Sequence, residues 1–210
     1  MAQNNTAKVE REIKVKRILG NAVNIPTMYS NANWLAEFSS SIPPKIHNGA
    51  IDPPFEAELR SHIYNLPIKT GTAHTLELDS GGTELWNLAM SLDRDQNLDA
   101  NRKKTIHLLR TFAFFLIDSS YIDRVRSLEK CVRLLKVAFT SAEGCFDQHD
   151  LDFAIKVLER AAHYVEIISQ ESAEIRPADM LLFERLKAGY FFHRMILVSR
   201  AAFPCRIIEY

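Results

Sequence analysis

Residues 123–169 read DRVRSLEKCVRLLKVAFTSAEGCFDQHDLDFAIKVLERAAHYVEIIS, and this stretch decides the fold. Before the polar break Asp147-Gln148-His149-Asp150, the residues Val125, Leu128, Val132, Leu135, Ala138, Phe139 and Ala142 recur at three- and four-residue steps. After it, Leu151, Ala154, Ile155, Leu158, Ala161, Ala162, Val165 and Ile168 do the same. That period puts one apolar face on each of two helices. The short break between them predicts an antiparallel hairpin. Ala142, Ala154 and Ala161, with Leu151 and Leu158 among them, fall where a tetratricopeptide unit places small and medium side chains. Bulkier residues there would push the two helices apart. A hairpin of this kind cannot bury its outer faces alone, so further helices are expected on both sides.

Working outward, the chain has 210 residues, of which 47% are hydrophobic and 25% charged, enough for one domain with a sizeable core. Lys+Arg and Asp+Glu both number 26, so no bulk field draws the protein to nucleic acid or to a membrane surface. Cys131, Cys145 and Cys205 are scattered and odd in number, which suits a reducing compartment better than a disulfide framework. The densest apolar run, Phe112 to Ile117, is far shorter than a membrane span. The N-terminus is polar and of mixed charge, unlike a secretory signal. A soluble, intracellular protein is expected.

Lys8 to Leu19 is a charged, helix-like segment whose cations Lys8, Arg11, Lys14, Lys16 and Arg17 read as a solvated face. Asn24 to Pro54 is rich in proline, with an apolar knot at Trp34, Leu35 and Phe38, and reads as irregular chain with one short helix. Asp52-Pro53 is a helix start, N-cap followed by proline in the first turn. That helix runs through Leu59 and Ile63 and stops before Pro67. After a loop at 68–74 comes a helix bearing Leu78, Leu85, Trp86, Ala89 and Leu92. Gly81-Gly82 costs this helix about 1 kcal/mol per residue relative to alanine. Either the helix begins at Thr83, or the glycines let another helix approach closely. A polar loop at 93–101 leads to Thr105–Ser119, which has no polar face over Phe112–Ile117 and is expected at the centre. A loop at 171–176 precedes Pro177 and a last helix, Ala178 to about Val198.

The fold class is therefore all-α: antiparallel helical hairpins stacked as a short tetratricopeptide-like α-solenoid. Residues 1–51 form an irregular, charged segment, 52–200 the helical-repeat domain and 201–210 a non-helical tail. A stack that ends after about three pairs leaves an apolar end uncovered.

Reaction chemistry is hard to find. Gly81-Gly82-Thr83 lacks the lysine and preceding strand of a phosphate loop. Cys145 and His149 are spaced to bracket a metal, but no second pair completes four ligands. His107 and His163 lie within helices and read as packed or surface residues. Lys130 and Arg133 flank Cys131 and favour a thiolate, but no histidine completes a dyad. The carboxylate pairs Asp79/Glu84 and Glu171/Glu174 are expected at helix ends. Trp86 and the phenylalanines at 112–115 read as core. No catalytic residue, cofactor, metal or small-molecule substrate is expected.

Certain segments resemble a known family. Gly82-Thr-Glu-Leu-Trp-Asn-Leu-Ala89, Leu92 and Leu108-Leu-Arg-Thr-Phe-Ala-Phe-Phe-Leu-Ile-Asp118 are similar to the opening of the fungal sporulation and meiosis-specific proteins of the Zip-four (Spo-twenty-two) type. Asp150-Leu-Asp-Phe-Ala-Ile-Lys-Val-Leu-Glu-Arg-Ala-Ala-His-Tyr164 resembles the helical pair that follows, and Phe183 to Leu197 the next helix. The resemblance covers about residues 52–198. It implies a nuclear scaffold of tetratricopeptide-like repeats on meiotic chromosomes, which starts synaptonemal-complex assembly and promotes crossovers by gathering recombination and chromosome-axis proteins. Family members are several times longer, and Ala201 to Tyr210 does not continue their helix. A truncated product or a misplaced gene end is the expectation; transcripts that stop naturally after Tyr210 would refute the second.

Two other classes compete. A generic tetratricopeptide adaptor would clamp the carboxylates of a peptide tail with basic residues, for which Arg126, Arg133, Lys136 and Arg160 are the candidates. An all-α enzyme would need ionisable groups converging in a cleft. The residues expected to carry repeat packing are Trp86, Ala142, Leu151, Ala154, Leu158 and Ala161.

Overall fold

A computed structural model describes residues 33–68, 74–94, 98–121, 127–170 and 177–202. The basic segment Lys8–Leu19, the loops at 69–73 and 171–176, Arg126, Cys205 and the tail from 203 lie outside the described residues.

Local sequence accounts for most helix ends. Asp52 caps α2 (Pro53–Asn65): its carboxylate accepts from Phe55 N at 2.8 Å, with proline in the first turn as expected. Asp99 caps α4 (Ala100–Ser119) by accepting from Arg102 N at 2.8 Å, so this helix starts a turn earlier than Thr105 and takes in part of the loop expected at 93–101. Ser127 caps α5 (Leu128–Asp147). The break before α6 (Leu151–Gln170) is a Schellman turn. His149 takes the left-handed conformation (φ 57), Asp150 N donates to Cys145 O at 2.8 Å, and His149 N donates to Phe146 O at 3.2 Å. Upstream lies α1 (Asn33–Ser41), the short helix expected around Trp34. Its Leu35, with Ile42 just beyond, is fully buried, so the helical body extends upstream of residue 52. The remaining helices are α3 (Thr75–Leu92) and α7 (Pro177–Ala202), the latter starting at the expected proline.

These seven helices pack in sequential antiparallel pairs, and the described residues contain no sheet. From α3 onward each helix lies on the next. Helices two apart also touch, α1 on α3, α2 on α4 and α5 on α7. Aromatic contacts join α1 to α2: Trp34 lies 4.9 Å from His62, and Phe38 lies 5.6 Å from Phe55. At the centre is α4, buried on every side from Thr105 to Ser119 apart from half-buried Arg110, as its apolar run requires.

Gly81 and Gly82 lie inside α3, which settles their role as close approach rather than helix start. A Cβ on Gly82 would sit 2.7 Å from Ile117 Cγ1, 3.0 Å from Ala113 O and 3.2 Å from Ile117 N. Two of these are backbone atoms of α4 and cannot step aside. Gly82→Ala is therefore expected to cost about 1–2 kcal/mol in urea unfolding, overpacking outweighing the helical gain of up to about 1 kcal/mol. Gly144→Ala in α5, whose added methyl would meet nothing closer than 3.6 Å, is expected to gain stability instead.

Among the described residues no helix is long and apolar enough to cross a membrane.

Candidate functional site

The hairpin α5–α6 places the packing residues together. Ala142, Ala154 and Ala161 are fully buried and Leu158 is 3% exposed. Leu151, at the first turn of α6, is half-buried against the same core. Trp86 is elsewhere, half-buried on α3, with the Arg110 guanidinium 6.0 Å from its ring.

The four candidate cations do not form one set. Arg126 lies outside the described residues. Arg133 and Lys136 are exposed on α5. Arg133 is engaged, its Nη2 donating to Thr83 Oγ1 at 3.0 Å and its Nη1 lying 4.0 Å from Asp79, and so ties α5 to α3. Arg160 does not lie on the surface as a clamp residue would. It is 3% exposed and lies in the core, not on a partner-facing surface. The cause is Asp118 on α4, itself fully buried. Arg160 Nε meets Asp118 Oδ2 at 2.5 Å, Nη2 meets Oδ1 at 2.9 Å, and the Tyr164 hydroxyl also donates to Oδ1. Burial works against the guanidinium charge, but Asp118 and Tyr164 outweigh it and push the Arg160 pKa upward. This bidentate pair, with a phenol completing it, locks α6 onto α4.

A second polar cluster joins α2, α4 and the α5–α6 turn. Arg60 Nη1 donates to Asp150 Oδ2 at 2.7 Å and Arg60 Nε to Glu56 Oε1 at 3.1 Å, which also takes Lys104 Nζ at 2.8 Å. With its proton on Nε2, buried His107 donates to Asp150 Oδ2 at 3.4 Å, while its Nδ1 lies 3.5 Å from Thr111 Oγ1. Thr111 in turn lies 3.7 Å from Cys145 Sγ. Residue types alone make this resemble a nucleophile–base–acid relay. The geometry is that of a strut. The Thr111 hydroxyl donates to the His107 carbonyl at 2.9 Å, and burial pushes the Cys145 thiol up to about 12, far from a thiolate. Cys145 and His149 part company too: the thiol is fully buried and the imidazole exposed. Among the described residues no three of His, Cys, Asp and Glu converge so as to hold a metal ion.

Burial pushes the Asp150 carboxyl up, but the His107 hydrogen bond and the Arg60 guanidinium together hold it below its ordinary value of 3.8. A carboxyl depressed in the folded state stabilises fully above its unfolded pKa, and that contribution is lost as pH falls through the folded value. Asp150→Asn is therefore expected to unfold more easily than the parent at pH 7, with the gap shrinking at pH 3. Urea midpoints of both proteins at the two pH values check this.

Two helix ends are closed by distant cations. Lys156 Nζ donates to Ile63 O at 2.8 Å and Tyr64 O at 2.5 Å, satisfying the last turn of α2. Burial pulls this ammonium down to about 8, against Glu159. Arg200 Nη1 donates to Phe146 O at 2.6 Å near the end of α5. Asp79 and Glu84, expected at helix ends, are mid-helix in α3. Asp79 accepts from the Tyr121 hydroxyl at 2.6 Å and Glu84 from Ser80 at 3.1 Å. Glu171 and Glu174 lie outside the described residues. Asp118 and Asp150 went unrecognised as interior anchors. A lone carboxylate at the end of the run Phe114-Phe115-Leu116-Ile117-Asp118 is the signal, because a buried charge demands a partner.

Compared with protein-family models, curated proteins and solved structures, the chain matches none.

Proposed function

We propose that this chain is a non-enzymatic scaffold of tetratricopeptide-like helical pairs, acting in the nucleus on meiotic chromosomes. In this reading it serves synaptonemal-complex assembly and crossover formation by gathering recombination and chromosome-axis proteins. The observation that carries it is the use made of the ionisable groups. Asp118, Arg160, Asp150, Arg60 and His107 tie helices to one another inside a stack of sequential pairs. What is left for function is the outer surface of that stack. The resembling segments support the reading by their order, since they fall on α3, α4, α6 and α7 in turn.

Deleting the gene in sporulating cells tests it. Reduced crossing-over and poor spore viability are expected, with affinity purification from meiotic cells returning recombination or axis proteins. A deletion strain with unchanged meiosis would overturn the proposal.

A further inference from the structure

The last helix is apolar on two opposite sides. Phe183, Tyr190, His193 and Leu197 face inward and are no more than 6% exposed. Leu181, Phe191, Phe192 and Met195 face outward at 61%, 54%, 55% and 62% exposure, with exposed Ala188 among them. At 100° per residue, Leu181, Ala188, Phe192 and Met195 lie along one stripe, bordered by Glu184 and Phe191 on one side and Arg185 on the other. A helix that is apolar on both sides calls for a neighbour on each, and among the described residues α5 and α6 cover only one.

We propose that this outward face binds the same face of a second copy of the chain, α7 against α7, antiparallel about a two-fold axis at Ala188. The spacing is symmetric about that point. Leu181 and Met195 lie two helical turns to either side of Ala188. Antiparallel alignment sets Leu181 against Met195 of the partner subunit, the Arg185 guanidinium against the ring of Phe191 of the partner subunit, and Glu184 against Phe192 of the partner subunit. At the axis Ala188 meets its own copy, and a side chain that small lets two helices approach closely. The area comes near what a stable pair buries. A phenylalanine carries about 200 Å², so the four half-exposed side chains offer roughly 400 Å² per copy and roughly 800 Å² per pair. A standard interface of about 1,600 Å² contains about 900 Å² of apolar surface. The two-fold pairing is closed, so it covers both stripes and leaves none to propagate a fibre.

Sedimentation equilibrium of the whole chain over about 1–100 µM, a range in which mass action resolves a dimer, tests this. The expected species has twice the 24.0 kDa chain mass. Phe192→Glu and, separately, Met195→Glu are expected to raise the dimer dissociation constant about 100-fold or more, with helical circular dichroism unchanged. In a Cys205→Ser background, Ala188→Cys is expected to form an interchain disulfide on mild oxidation, whereas Ala57→Cys on exposed α2 is not. A chain that stays at 24.0 kDa throughout, one that forms polydisperse assemblies, or a dimer untouched by both glutamates would overturn the proposal. So would a dimer that Ala188→Cys cannot cross-link.

Discussion

Arg160→Ala is expected to lower stability by about 3–5 kcal/mol, because it strands the Asp118 carboxylate where no water can reach it. Both partners are essentially shut off from solvent, at 3% and 0% exposure. Removing the guanidinium takes away two charge-assisted hydrogen bonds and leaves an uncompensated charge between α4 and α6. For a chain of this size the loss corresponds to a fall in melting temperature of roughly 6–20 °C. Arg160→Lys recovers only part of it, since an ammonium cannot make the bidentate contact. The replacement Asp118→Leu with Arg160→Met and Tyr164→Phe, which also removes the phenol that donates to Asp118, is expected to recover most of it, because the cost lies in the unpaired charge more than in the pair. Urea unfolding of these three variants and the parent at neutral pH separates the contributions. A single alanine variant within about 1 kcal/mol of the parent would show that water reaches Asp118.

Phe112→Ala is expected to be comparably severe, about 3–5 kcal/mol. Phe112 is fully buried on the central stretch of α4, and its ring meets Phe38 of α1 edge-on at 5.6 Å. Truncation leaves a cavity that rigid neighbours on several helices cannot collapse into, and it loosens α1 in particular. Leu76→Ala, at a side chain 79% exposed, is expected to change stability by no more than about 0.5 kcal/mol. Similar losses at the two sites would mean that α4 is not central.

Periodicity made the helices legible, and local chemistry made many of their ends so. The α5–α6 hairpin, its buried alanines, the Asp52 cap and the apolar run Phe112–Ile117 of α4 all follow from short-range pattern. Gly81-Gly82 did not, because a glycine pair inside a helix is explained only by what approaches it, here Ser39 of α1 at Gly81 and Ala113 and Ile117 of α4 at Gly82. Arg160 was misread for a related reason. Charge suggests surface, yet Arg160 shares its helix face with Val157 and Tyr164, three and four residues away, and that face is buried. Its partner Asp118 is distant in sequence, so the pair becomes visible only when α4 and α6 are laid together. The outward stripe on α7 was not legible, since periodicity does not tell which of two apolar sides meets the core.

The claim on which everything else rests is that small side chains set how closely the helices pack, those on the hairpin above all. A matched pair of substitutions measures it: Ala161→Leu at the fully buried position on α6, and Ala57→Leu at an exposed position on α2. The first is expected to lose about 1–3 kcal/mol through overpacking and the second to stay within about 0.5 kcal/mol of the parent in urea unfolding. Equal tolerance at the two positions would contradict the packing described for the hairpin and, with it, the stack built around it.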